Sequence, residues 1–184
     1  MSLDFYSFLP VGTQEKCASL IADNNVHIKV VRQRKTKHGD FRVQHGKPVT
    51  ITLNAMENRY RFLLTFLHEW AHYSVFSNYK NRQKPHGTAW QSTFQELVIP
   101  FLSVDFFPKS LLEPLKKHMK KPKATFAADA SLMLALRQFD LPNDKKCIFE
   151  LEQGSLFCAS DGRIFQKGIK RRTRFLCTCT QTKR

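Results

Sequence analysis

The first third of the chain alternates between helix-like and strand-like hydrophobic patterns. Residues 14–24 (QEKCASLIADN) carry apolar side chains at helical spacing and end at a pair of asparagines, which predicts a helix. Residues 26–31 (VHIKVV) and 49–53 (VTITL) are rich in β-branched side chains and alternate apolar with polar positions, as half-buried strands do. We therefore expect one helix followed by two strands, and we expect the strands to be neighbours.

A long apolar run without Gly or Pro, residues 60–76, predicts the principal helix of the chain. Asn54 and Glu57 precede this run at the spacing of a capping box, which favours a helix start at Asn54. After a polar, basic loop, a second helix is predicted over residues 86–98, and Pro100 ends it.

The second half of the chain has shorter and more basic periodic segments. Helices are predicted over residues 111–119 and 129–139, and residues 140–146 form a turn-rich linker. Four short segments of strand character follow: 147–151, 155–159, 163–166 and 174–178. The sequence therefore predicts an α+β fold, in which a helical domain (residues 1–140) precedes a small basic β appendix (residues 141–184).

The motif with the clearest chemistry lies inside the principal predicted helix, where residues 68–72 read His-Glu-Trp-Ala-His, the HExxH pattern. Residues four apart on a helix share one face, so both imidazoles can reach one zinc ion while Glu69 projects beside them. A catalytic zinc site uses three protein ligands and leaves a position for water, whose proton a nearby carboxylate can accept. The motif predicts a zinc-dependent hydrolase with His68 and His72 as ligands and Glu69 as the general base.

The third ligand is not fixed by this motif, because the residues after His72 lack the HExxHxxGxxH continuation. We favour His86, since the intervening loop is short and Gly87 permits a close approach of the backbone. Glu96, deeper in the second predicted helix, is the alternative. Either choice predicts one catalytic zinc ion per chain.

These motifs together resemble the SprT-like metallopeptidases, the family that includes the DNA–protein crosslink protease Spartan. The resemblance covers roughly residues 10–105 and rests on ITLN (51–54), on YRFLLT (60–65) leading into HExxH, and on the His86-Gly87 pair with Trp90. In that family the histidine of an HG pair is the third zinc ligand. The resemblance implies a minimal zincin-like domain, with the HExxH helix packed on a small sheet, and a peptidase activity towards DNA-associated proteins.

The spacing of the cysteines indicates whether they form a second metal site or remain free thiols. Many relatives append a zinc ribbon of two CxxC pairs, whereas this chain has isolated Cys147 and Cys158 and a CxC at Cys177 and Cys179. It resembles short bacterial members with a degenerate ribbon, and we expect ordinary thiols there, with a four-cysteine zinc site as the alternative. An odd, unevenly spaced set that also includes Cys17 is typical of a reducing cytoplasm.

No apolar stretch approaches the length of a membrane span, and the N-terminus lacks the pattern of a signal peptide. We therefore expect a cytoplasmic protein that does not associate with membranes.

Positive charge is the most unusual property of the composition. Thirty Lys and Arg against 15 Asp and Glu give a formal net charge of +15, which attracts polyanions such as DNA or serves solubility alone. The clusters in the helical domain are Arg32, Arg34, Lys35 and Lys37; Lys80, Arg82 and Lys84; and Lys116, Lys117, Lys120, Lys121 and Lys123.

The tail carries the densest cluster, because residues 163–184 contain no acidic residue. Its candidate DNA contacts are Lys170, Arg171, Arg172 and Arg174. Phe165 and Phe175 lie among the basic residues and are either stacking platforms for bases or core residues of the appendix. We expect DNA as a partner, and the sequence does not distinguish single-stranded from double-stranded DNA.

The favoured function is that of a zinc metallopeptidase acting on DNA-associated proteins. One alternative is a nucleic-acid-binding module with a structural metal, and Glu69 argues against it because a structural site needs no base and closes its fourth position. A zinc hydrolase acting on another kind of amide is a third reading. The protein substrate, the cleavage preference and the oligomeric state are left open by the sequence.

Overall fold

The computed structural model describes residues 3–34, 37–79, 83–142, 146–172 and 174–183. The helices are α1 (Gln14–Ala22), α2 (Arg59–Tyr79), α3 (Thr88–Val98), α4 (Lys109–Met119) and α5 (Ala130–Arg137). The strands are β1 (Val26–Val31), β2 (Gly39–Arg42), β3 (Val49–Asn54), β4 (Leu156–Cys158), β5 (Ile164–Arg171) and β6 (Arg174–Cys179). Helices combined with two small sheets confirm the α+β prediction. Within these described ranges, no helix is long and apolar enough to cross a membrane.

The first sheet has the strand order β1-β3-β2. β1 and β3 are parallel neighbours, with Ile28 opposite Ile51, and β2 runs antiparallel to β3. β2 is not predictable from the hydrophobic pattern, because this edge strand reads Gly-Asp-Phe-Arg and has one large apolar residue, Phe41. Contacts with elements distant in sequence determine this strand, since β2 lies against α2 and completes the sheet that α2 covers.

α2 is the central helix, and ten of its 21 residues are buried. It packs against the first sheet on one side and against α3 on another. Fully buried side chains such as Phe62, Phe66 and Leu67 form the centre of the core. This burial fixes the direction in which the polar residues of α2 point.

The predicted capping box is wrong. Asn54 ends β3, and its amide donates to the carbonyls of Arg34 (3.2 Å) and Lys37 (2.7 Å). The side chain that caps α2 belongs to Asn58, whose Oδ1 accepts the N–H of Arg61 at 3.0 Å. Asn54 does not cap the helix because the chain remains extended in β3 through this residue.

The N-terminal end of α2 is held by a residue far along the chain. Asp140 receives two hydrogen bonds from the Arg61 guanidinium, at 3.2 and 2.8 Å, and one from the Asn58 amide at 2.6 Å. Arg61 is 7% exposed, so a carboxylate partner is required to offset the loss of its hydration. This cluster joins the segment after α5 to the helix that carries the HExxH motif.

The appendix is a three-stranded antiparallel sheet of order β4-β5-β6. The strand predicted over residues 147–151 is wrong, since most of this segment forms a turn. Glu150 closes the turn by accepting the N–H of Cys147 at 2.6 Å and by pairing with Arg137 of α5.

The two phenylalanines of the tail face the interior of the appendix. Phe165 stacks on Phe157 at 5.9 Å, and Phe175 meets Phe149 edge-to-face at 5.6 Å. Both side chains are half-buried. Of the two readings of these residues, the packing matches the core role.

Cys17, on α1, is a protected thiol. It is fully buried in the core, and burial raises its pKa to about 12. Cys158 of β4, in contrast, is exposed. A thiol alkylates as its thiolate, so a raised pKa and burial both slow the reaction.

We predict that iodoacetamide at pH 8 labels Cys158 in the native protein and labels Cys17 only after unfolding. Mass spectrometry of peptides from native and denatured samples measures both sites. Equal labelling rates for the two cysteines in the native protein would contradict the core position of Cys17.

Candidate metal centre

Two helices and the loop between them bring three histidines to one point. His68 and His72 lie one turn apart on α2, and His86 reaches them from the residues that precede α3. The three Nε2 atoms are mutually close, at 3.3 Å (His68 to His72), 3.0 Å (His72 to His86) and 3.2 Å (His68 to His86). Nitrogen ligands about 2.0–2.1 Å from one tetrahedral ion are about 3.3–3.4 Å apart. The group could therefore hold a metal ion.

His86 takes an unusual backbone conformation to reach this position. Its φ is 55°, in the left-handed region that non-glycine residues enter rarely and at a cost. Because of this turn, α3 begins at Thr88 and not at His86. A Cβ on Gly87 would lie 2.9 Å from the carbonyl oxygen of Lys84, so the loop closes only with glycine at that position.

Glu96, the alternative third ligand, lies elsewhere. It lines a surface cavity together with Lys16, Leu20 and Pro100. In the described part of the chain, the group able to hold a metal ion consists of the three histidines without Glu96.

An aromatic layer supports the histidines from the side of α3. The Trp90 ring is 4.7 Å from His68, 5.5 Å from His72 and 4.7 Å from His86, and its Nε1–H donates to the His68 carbonyl at 3.4 Å. Trp90 is 1% exposed and stacks on Phe94 at 5.0 Å. This packing restricts the imidazole orientations. Sequence reasoning used Trp90 only as part of a resemblance and gave it no role.

Burial keeps the imidazoles neutral. Burial and repulsion from the neighbouring imidazoles lower the pKa of His68 to about 3 and that of His72 to about 4. Burial also lowers the pKa of His86. At neutral pH each ring therefore offers a free lone pair, which metal coordination requires.

Glu69 follows His68 on α2, and its side chain makes a close contact with β2. A Cβ on Gly39 would lie 2.6 Å from Glu69 Oε1 and 2.8 Å from Thr65 Cγ2, so only glycine lets the strand approach the helix this closely. The Glu69 pKa is raised to about 7, mainly by burial and then by the Asp40 carboxylate. A backbone hydrogen bond from Phe41 opposes part of this rise.

The sequence did not reveal that β2 forms one wall of the site. Phe41 of β2 also stacks on His72, with ring centroids 6.4 Å apart. The sequence signal for this wall is weak and consists of a Gly-Asp pair within a basic connection. The φ of this glycine is not left-handed, so no turn explains the residue.

The candidate DNA contacts lie together at the β5–β6 hairpin. Arg171 is paired with Arg174 and Lys170 with Phe175 across the two strands. Lys170, Arg171, Arg172 and Arg174 are all exposed, and among the described residues no acidic side chain forms a salt bridge with them. Of the other basic residues, Lys35, Lys80 and Arg82 lie outside the described residues.

The four cysteines of the appendix do not converge. Cys158 is opposite Ile164, and Cys179 is opposite Phe165, so β5 separates these two thiols. Over the ranges that the structure describes, these cysteines form no group of metal ligands.

We predict that His86→Ala lowers the affinity of the chain for Zn2+ by more than about 100-fold, beyond the effect typical of residues outside the ligand set. Glu96→Ala, in α3 but away from the histidines, should leave the affinity unchanged. Competition with a chromophoric chelator measures both. The reverse order of effects would give the third-ligand role to Glu96.

Comparison with known proteins agrees with this geometry. No match is found among curated proteins or among solved structures. The model of the SprT-like family matches residues 13–104, which is half of the chain and contains α2 and the three histidines. The chain belongs to the SprT-like family.

Proposed function

We propose that the protein is a zinc-dependent metallopeptidase. The observation that carries this proposal is the triangle of three imidazole nitrogens, with Glu69 next to His68 on the same helix. Zinc favours imidazole nitrogen, and three protein ligands are the number typical of a catalytic site. Family membership supports a metallopeptidase type of chemistry.

In this proposal His68, His72 and His86 hold the metal and Glu69 moves the proton. When bound, zinc supplies Lewis acidity, which favours attack of water on an amide at neutral pH. Glu69 accepts a proton from the attacking water at its carboxylate and returns it to the leaving amine. A carboxyl with a pKa near the working pH suits both steps, and burial raises the pKa of Glu69 to about 7.

β2 supports a peptide as the substrate. It is an edge strand, and it lies directly against α2 at Glu69 through Gly39. An edge strand can pair with an extended peptide through its unpaired N–H and C=O groups. A peptide bound in this way would run past Glu69 and the three histidines. A small amide substrate would not need such an edge strand. This favours a peptidase over a hydrolase of another amide.

DNA association is the second part of the proposal. The β5–β6 hairpin presents four exposed cations, and its phenylalanines are turned into the appendix. We therefore assign contacts with phosphates and not base stacking to this surface.

Arg174 of the hairpin lines one cavity together with Ala127, and the neighbouring residue Phe126 lies 6.5 Å from the His68 ring. DNA held at the hairpin would concentrate DNA-bound proteins near the site.

A cytoplasmic location stays a prediction from the free cysteines.

We predict that Glu69→Gln binds Zn2+ as the natural chain does and loses peptidase turnover by about 10²–10⁴-fold, because the general base is removed and the ligands are kept. Metal content by elemental analysis and cleavage of an unfolded protein substrate measure the two properties separately. A control, Glu96→Gln, should retain both. Undiminished turnover of a zinc-loaded Glu69→Gln protein would remove Glu69 from the mechanism.

The alternative, a nucleic-acid-binding module with a structural metal, predicts a different pattern. It requires DNA binding with no turnover in the natural chain, under conditions where zinc is bound. That result would replace the peptidase proposal.

We predict that replacing Lys170, Arg171, Arg172 and Arg174 by Ser together weakens DNA binding and flattens its salt dependence. Each phosphate contact contributes about −0.9 to the slope of log K against log salt, so the slope should change by up to about three to four units. Fluorescence anisotropy over a salt series measures it. Cleavage of DNA-bound protein should lose its stimulation by DNA, while the DNA-free rate is kept.

A matched control replaces Lys116, Lys117, Lys120 and Lys121 of the α4 region by Ser, which removes the same net charge. If both quadruple variants change the slope equally, the hairpin is not a specific contact surface and net charge explains the binding.

A further inference from the structure

One face of the appendix sheet is rich in exposed aliphatic side chains. Residues directly opposite each other on antiparallel strands share a face. The strand pairing puts six residues on the outer face of this sheet: Leu156, Cys158, Ile164, Gln166, Leu176 and Thr178. All six are exposed, and Leu156, Ile164 and Leu176 have 64%, 43% and 49% of their surface open to solvent.

The inner face of the same sheet is covered. Phe157, Phe165 and Cys179 lie opposite one another on the three strands, and each is half-buried or buried. Phe175, on the same face of β6, lines a cavity together with Met133 of α5. The helical domain therefore lies on the inner side of the sheet, and the outer face is open to solvent.

Ile169 extends the aliphatic cluster of the outer face. Residues 168 and 169 of β5 lie opposite the single residue Leu176, in the irregular stretch between Lys167 and Lys170, and Ile169 is 50% exposed. Single exposed apolar side chains are common, but several on one sheet face are typical of a binding surface. Burial of these aliphatic side chains against a partner favours association.

Cations adjoin the outer face at the end of the β5–β6 hairpin. Arg171 lies opposite Arg174, and both are exposed and form no salt bridge among the described residues. β4, β5 and β6 contain no Asp or Glu. Charge complementarity therefore requires a partner with negative charge. A second copy of the chain, with its own net charge of +15, does not meet this requirement.

The polar side chains of the outer face indicate a polypeptide and not a membrane or DNA. Gln166 and Thr178 lie opposite each other in its middle row and lose hydration when the aliphatic side chains around them are covered. A bilayer core offers no hydrogen-bond partner to such groups, whereas a polypeptide does. Nucleic-acid bases stack on aromatic rings, and Phe157 and Phe165 lie on the inner face.

We propose that the outer face docks an acidic polypeptide that has aliphatic side chains, with its carboxylates near Arg171 and Arg174. The aliphatic side chains of the partner cover those of the face, and the charges set its orientation and the rate of association. This inference concerns a protein partner and rests neither on the zinc site nor on the peptidase chemistry. Because Arg171 and Arg174 are also the proposed DNA contacts, DNA and the polypeptide would compete for them.

Synthetic peptides test the two requirements of the face separately. The probe is a fluorescein-labelled peptide of alternating Glu and Leu, and in two matched peptides Ser replaces every Leu or Lys replaces every Glu. Fluorescence anisotropy measures their binding to the natural chain without DNA. We expect the Glu–Leu peptide to bind at least about 10-fold more tightly than either matched peptide, since each of these lacks one source of affinity. A matched peptide that binds as tightly, or no binding of the Glu–Leu peptide, would overturn the inference.

A triple variant localises the binding. It replaces aliphatic residues of the outer face by Thr, which suits exposed strand positions: Leu156→Thr, Ile164→Thr and Leu176→Thr. The matched control replaces exposed aliphatic residues of the helical domain: Val11→Thr, Ile99→Thr and Val104→Thr. We expect the outer-face variant to bind the Glu–Leu peptide about 10-fold less tightly and the control to bind it as the natural chain does. Equal affinities of the two variants would contradict the proposal.

Cys158 provides a second readout that needs no variant. Its thiol is exposed on the outer face, opposite Ile164, whereas Cys177 is half-buried on the inner face. We expect the Glu–Leu peptide to slow the labelling of Cys158 by iodoacetamide in the natural chain and to leave the labelling of Cys177 unchanged. If Cys158 is labelled equally fast with the peptide bound, the outer face is not the docking surface and the inference is wrong.

Two further measurements test the other occupants of the outer face. Co-sedimentation with vesicles of phosphatidylcholine and phosphatidylserine tests a membrane, and sedimentation equilibrium tests a second copy of the chain. We expect the natural chain and the outer-face variant to give the same result in both measurements. Vesicle binding or self-association that is lost in the outer-face variant would overturn the inference, because the face would then serve a membrane or a second copy.

Discussion

The structure depends on a central helix that is largely buried and still presents polar chemistry to one point. Buried polar groups must find partners, and most of those on α2 do. Arg61 pairs with Asp140, and the Thr65 hydroxyl donates to the Arg61 carbonyl at 2.8 Å. The imidazoles of His68 and His72 differ, because their lone-pair nitrogens converge on one another and on His86. Neutral nitrogens that converge in this way repel each other unless a cation lies among them, so a metal ion bound there would complete the polar face of the helix.

Much of this centre could be predicted from the sequence because its physical basis is local. Helical spacing alone puts His68 and His72 on one face. The β-branched segments that became β1 and β3 were also recognisable, since burial on one face imposes alternation. The choice of His86 over Glu96 rested on a short loop and on Gly87, and the structure places His86 next to the other histidines.

The remaining features could not be predicted, because distant contacts determine them. β2 has almost no strand pattern of its own. It forms because it pairs with the edge of β3 and packs against α2. Asn58 replaces Asn54 as the cap because β3 extends to Asn54. His118 looked like one more residue of a basic segment, and only the fold shows that its side chain is buried beside Asp129.

In the proposed metal centre three histidines, and none of the cysteines, hold the zinc ion. Zinc K-edge X-ray absorption of the protein loaded with one equivalent of Zn2+ tests this most directly, since Zn–N distances are about 2.0–2.1 Å and Zn–S distances about 2.3 Å. The three-histidine site predicts nitrogen and oxygen neighbours only, with the outer-shell scattering of three imidazoles. A sulfur shell at about 2.3 Å would contradict it and would place the metal among the cysteines of the appendix.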